Sequence, residues 1–131
     1  MTDSVIGHVA WGYLVGGTST WVYGSYGDGD SWHTSGSAAS MFATFANQAN
    51  YTRYRCVSTP TSAVGAANNM VSTQFGVGYN VANHNCLTVS VLIYKAYAGS
   101  LSSLPSGVLT QPNSYFYNTL TAYGWWPVTS L

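Results

Sequence analysis

The stretch ANHNCLTVSVLIYKAYAG, residues 82–99, sets a cysteine at the joint between a polar loop and a long apolar run. Asn83, His84 and Asn85 stand before Cys86, and the run stops at Gly99. This spacing predicts a helix that begins at Cys86 and ends at the glycine. Four readings of the cysteine are open at this point: a reactive thiolate, half of a disulfide, a metal ligand, or a small buried hydrophobe. The first turn of a helix carries unpaired N–H groups and favours negative charge. A sulfur there is a better nucleophile, because the thiolate is the reactive form. The Asn85 side chain or the Cys86 amide would then serve as an oxyanion donor. Weighing against this, unpaired cysteine is among the most buried of residue types.

A nucleophilic cysteine needs a base. The chain has three histidines, His8, His33 and His84. His84 is two residues from Cys86, but nearness in sequence does not aim its ring. His33 lies in the turn-rich DSWHTSG. His8 opens the strand-like GHVAWGYLVGG, residues 7–17, where Gly7 leaves room for a ligand.

Outward from these two points the chain reads as α+β. TSTWVYGSYG, residues 18–27, returns as the hairpin partner of the first strand. DGDSWHTSGS, residues 28–37, reads as a loop. AASMFATFANQAN, residues 38–50, has helical spacing of Met41, Phe42 and Phe45, with Ser37 or Ser40 as cap. YTRYRCVS, residues 51–58, alternates like a strand and holds Cys56 as an inert, buried thiol. Thr59-Pro60 reads as the start of a second helix that ends at Gly76. Residues 104–114 read as a loop, and YFYNTL, residues 115–120, as a short helix capped by Asn113 or Ser114. No repeat, linker or second composition regime interrupts residues 1–131, which read as one domain.

Of the 131 residues, 47% are apolar and only 5% charged, with no net charge. Soluble domains usually carry about 25% charged residues. A surface of Ser, Thr, Asn, Gly and Tyr fits a protein that works outside the cell. Without a basic patch, nucleic acid is a poor partner, since affinity for it rests on neutralised phosphates. No apolar run reaches the ~18 residues of a membrane span. MTDSVIGHVAWG lacks the pattern of a secretory signal. Secretion to the periplasm or envelope would therefore take a non-classical route; without export the protein is cytoplasmic. Cys56 and Cys86 would close a long loop if paired, with a gain of roughly 3 kcal/mol.

The order of these motifs resembles the circularly permuted papain-like thiol hydrolases, which include relatives of cell-wall peptidases, lecithin retinol acyltransferase-like proteins and desumoylating isopeptidases. GHVAWGYLVGG…WVYGSYG is similar to their histidine strand and hairpin. YNVANHNCLTVSVLIYKAYAG is similar to their Asn-Cys segment and apolar helix. YRCVS and the helix after it fall between the two, and the likeness covers roughly residues 5–120. It implies a small antiparallel sheet with the histidine on an early strand, packed on helices with the cysteine at a late helix start. It implies Cys86 as nucleophile, His8 as base, and hydrolysis of an amide bond without cofactor or metal. The family's orienting residue lies on the strand after the histidine, where Ser25 and Tyr23 are the polar candidates. By the same likeness the substrate is a peptide or peptidoglycan cross-link, the setting a bacterial envelope-directed toxin, and an immunity or inhibitor protein a partner. Ester or lipid acyl transfer is the alternative chemistry on this fold.

Two other readings remain on the residues themselves. His84, Cys86 and His8 number three zinc ligands, but no CxxC or HExxH spacing supports them. Asp28-Gly29-Asp30 lacks the remaining positions of a calcium loop and reads as a solvated turn. The rival class is a non-enzymatic carbohydrate- or cell-wall-binding module, with Trp125-Trp126 as its platform. Thiol labelling separates them: an enzyme of this kind is expected to label fast at Cys86 near neutral pH.

Overall fold

A computed structural model describes residues 1–4 and 7–131; the first two residues of the 5–120 likeness, Val5 and Ile6, lie outside them. The protein is a small α+β domain. Six strands form an antiparallel sheet in the order β4-β3-β2-β1-β5-β6. They are β1 Thr2–Ser4, β2 Val9–Leu14, β3 Thr20–Ser25, β4 Trp32–Ser37, β5 Tyr51–Tyr54 and β6 Thr129–Ser130. Helix α1, Ala38–Ala43, continues into a wider turn over Thr44–Gln48; α2 is Val64–Phe75 and α3 Cys86–Tyr97. Helix α4, Pro112–Ser114, runs on through a wider turn at Tyr115–Thr119 into Leu120–Ala122.

Period-two alternation in β2 divides the core. Val9, Trp11 and Tyr13 face one cluster with Leu87, Ile93 and Tyr94 of α3 and Val71 of α2. Ala10 faces a second cluster with Tyr23, Met41, Phe45 and Tyr51. Helix α3 is buried nearly all round, as its unbroken apolar run requires of a central helix. Its start is fixed by Asn85, whose side chain accepts from Leu87 and Thr88 N–H while Thr88 Oγ1 accepts from Asn85 N–H, a reciprocal capping box. Helix α1 is capped by Ser37, one of the two serines expected there.

The structure departs from the sequence reading in four places. Residues 28–37 do not stay a loop: Trp32–Ser37 pairs with β3 along its length, Gly24 opposite His33. This is an edge strand, mostly exposed, so its polar composition imitates a turn. Gly24 is required, since a Cβ there would lie 2.3 Å from Trp32 O. The second helix begins at Val64, not at Thr59-Pro60. Helix α4 begins earlier than expected, at Pro112 behind Gln111, with no side-chain cap from Asn113 or Ser114. The short strand β1 has no signal of its own; it forms because β2 and β5 present edges on either side of it.

Among the described residues β1 meets β2 over Val9 and Ala10. Further along, hydroxyls of α3 take the place of a neighbouring strand. Gly12 N–H donates to Tyr94 Oη at 3.1 Å, and Tyr97 Oη donates to Leu14 O at 2.7 Å. β2 and α3 therefore carry two different environments, one at each end.

Candidate active site

Cys86 occupies the first position of α3 and is buried, with 5% of its surface exposed. Burial pushes its thiol above the ordinary value. The nearby backbone N–H groups of Val9, Leu87 and Cys86 itself pull the other way, and the charge of Asp30 adds to the rise. The sulfur thus lies near Val9, the strand residue that follows His8. The thiol is thus neutral at rest.

His8 Nε2 lies 2.7 Å from Ser25 Oγ at the end of β3, and Ser25 Oγ lies 3.0 Å from Tyr51 Oη. The His8 ring stacks on Tyr51, with centroids 5.8 Å apart and planes 25° from parallel. Ser25 and Tyr51 are buried, and His8 is half-buried. Burial pulls the His8 pKa down, and the charge of Asp30 raises it in part. His8 Nε2, Ser25 Oγ and Tyr51 Oη thus form one hydrogen-bonded chain that fixes the plane of the ring.

The other expected residues fall elsewhere. Tyr23 packs edge-on against Phe45 and Trp32 at centroid distances of 5.6 and 6.2 Å, inside the second cluster. Ser25 is the one of the two candidates bonded to His8. Asn85 does not aim its amide at an oxyanion site: Oδ1 is spent on the helix cap and Nδ2 donates to Val81 O at 2.8 Å. The backbone N–H of Cys86 is the donor left beside the sulfur.

His84 does not join Cys86 in a ligand trio. Its Nδ1 is 2.9 Å from Tyr26 Oη and its Nε2 2.9 Å from Gln74 Oε1. Among the described residues no three His, Cys, Asp or Glu side chains gather to hold a metal ion. His33 is edge-on to Phe75. Asp28, Gly29 and Asp30 form an exposed turn, with Gly29 at φ +79°. Cys56 and Cys86 are free thiols, so the disulfide reading falls; Cys56 is half-buried just past β5 rather than buried within it. Trp125 is 6% exposed and edge-on to Tyr94, while Trp126 is 55% exposed. The two indoles therefore form no shared platform.

Two residues of the site carry no local signal in the sequence. Tyr51 reaches Ser25 only because β5 enters the same sheet through β1. Asp30 acts on His8, Cys86, Tyr51 and Tyr79 through its charge, a role its turn does not announce. A shallow hollow of about 350 Å³, lined by Tyr26, Asp28, Phe75 and Tyr79, opens beside this loop.

Comparisons of the chain with models of protein families, with curated proteins and with solved structures find no match.

Proposed function

We propose that the protein is a cysteine-dependent hydrolase of amide bonds. The reading is carried by one observation: His8 is held by Ser25 and Tyr51 while the next residue, Val9, brings its backbone N–H near the sulfur of a cysteine at a helix N-terminus. An inert buried cysteine needs no oriented imidazole on the neighbouring strand.

The chemistry starts from a neutral pair. His8 Nδ1 takes the thiol proton as Sγ forms a bond to the substrate carbonyl carbon. The carbonyl oxygen gains the electron pair and is met by the Cys86 N–H. The C–N bond then breaks, and the proton on His8 goes to the leaving amine. Water attacks the thioester, with His8 again taking and returning a proton, and releases the acid and the free thiol. Ser25 holds the ring but brings no charge, so the imidazolium leans on Asp30 across the site. A peptide cross-link such as that of peptidoglycan is the substrate we assign.

The test offers peptidoglycan fragments, then acyl esters, to the wild type, Cys86→Ser, His8→Ala and the double variant, and follows products by mass spectrometry. Turnover should be lost in each single variant by a similar factor. The double variant should be scarcely worse, because residues that act as one unit do not add. Equal turnover by wild type and both single variants rules the mechanism out.

A further inference from the structure

Away from the thiol, a cavity of about 580 Å³ opens where β2 loses β1 as its neighbour. It is of the size of small-molecule sites. Trp11, Gly12, Tyr13 and Leu14 line it in succession, roughly 10 Å of strand, and Gly16 and Ser62 continue it to the surface. Its shape is therefore long. Phe42, Phe45, Tyr94 and Trp125 make its other walls apolar.

The hydrogen-bonding groups in these walls are unbalanced. Among the described residues, Trp11 and Trp125 have indole N–H groups that are buried without a partner. Buried donors are almost always paired. Arg55, also in the wall, is 3% exposed. Its guanidinium donates to the carbonyls of Phe116 at 2.9 Å, Trp125 at 3.1 Å and Trp126 at 2.9 Å, and to Thr121 Oγ1 at 2.7 Å. It meets no carboxylate among the described side chains, and a buried cation normally has a counter-charge. An apolar cavity thus has in its wall a buried cation that meets no described carboxylate. We infer that the cavity binds an aliphatic carboxylate, with the chain along β2 and the acid group toward Arg55. This site does not depend on the thiol chemistry and would stand if Cys86 proved inert.

The probe is dodecanoate below its micelle concentration, titrated into the full chain by calorimetry, with dodecanol as the uncharged control. Saturable binding of dodecanoate at least tenfold tighter than of dodecanol is expected. Ser62→Trp, at an exposed position on the cavity's open end, should weaken it tenfold or more without changing the circular dichroism spectrum. Cys56 also lines the cavity, so bound dodecanoate should slow its alkylation in the wild type, a readout that needs no variant. Lack of saturation, equal affinity for the alcohol, or undiminished binding by a folded Ser62→Trp overturns the inference, as does unprotected Cys56 at saturating dodecanoate.

Discussion

The two ends of α3 lie against the same strand and are treated in opposite ways. At its start, around Cys86, polar groups are paired in two sets: His8 to Ser25 and Ser25 to Tyr51, and, in the helix cap, Asn85 to Leu87 and Thr88. Some eight residues on, or about 12 Å along the axis, Tyr94 and Tyr97 border an apolar cavity. The difference follows from β1. Where β1 accompanies β2, it brings β5 and hence Tyr51 to His8. Beyond Ala10 the edge of β2 meets the hydroxyls of Tyr94 and Tyr97. One short strand thus separates an ordered polar site from an open apolar one.

The largest effect expected of any substitution tests the first half of this contrast. Cys86→Ser should lower turnover by at least ~10³-fold while leaving dodecanoate binding at the other end unchanged, because a hydroxyl is a poor nucleophile without a stronger base. Single-turnover assays and calorimetry on the same preparation check it. Loss of both activities together would show that the two ends are not independent.

Next comes the orienting chain. Ser25→Ala removes the bond to His8 Nε2 and should cost roughly 10–10²-fold in kcat, well short of the ~10⁴ lost when a charged orienter is neutralised. Tyr51→Phe should cost less, since Ser25 still holds the ring. The discriminating readout is the pH–rate profile: a structural defect would lower the curve evenly, whereas a loose tautomer should move its acid limb. An unmoved limb in Ser25→Ala would deny Ser25 its positioning role.

How much of this was legible follows the same division. Cys86, the helix it starts and the His8 strand were readable, because apolar periodicity and the polar-to-apolar joint are local signals. Ser25 was within reach as one of two polar residues on the next strand; the choice between it and Tyr23 depended on packing against Phe45 and Trp32. Tyr51, β1 and β4 were not legible. Their places depend on pairing between segments far apart in sequence, and an edge strand as polar as Trp32–Ser37 has little periodicity to show. Asn85 illustrates a subtler miss. The same side chain suits a cap and an oxyanion donor, and the sequence states both; the geometry of the first turn gives it to the cap.

That cap supplies a stability prediction. Asn85→Ala should cost about 1 kcal/mol, measured by urea denaturation, and should weaken alignment of the Cys86 N–H. Asn85→Asp keeps an acceptor for Leu87 and Thr88, so it should hold most of the stability. If Asn85→Asp were as destabilising as Asn85→Ala, the bond from Nδ2 to Val81 O, and not the cap, would be the important contact.

The smallest effect concerns acid. Burial pulls the pKa of His8 below its ordinary value, and His84 shifts in the same direction. As pH falls through about 6.5 the unfolded chain takes up these protons first. The unfolded state then binds more protons, so stability falls with falling pH and is regained above that value. Calorimetric scans between pH 5 and 8 should show Tm declining on the acid side. His8→Gln should flatten the decline, leaving the parts due to His84 and to the buried Met1 amino group, whose pKa burial pulls down to about 5. At the cavity end the bond from Tyr97 to Leu14 O involves no group that titrates in this range. Tyr97→Phe, which removes it and leaves His8, His84 and the Met1 amino group in place, should lower Tm by the same amount at every pH in that range. A pH-dependent Tyr97→Phe effect, or an unflattened slope in His8→Gln, would mean that protonation is felt across the whole of α3. The contrast between its two ends would then describe packing alone and not electrostatics.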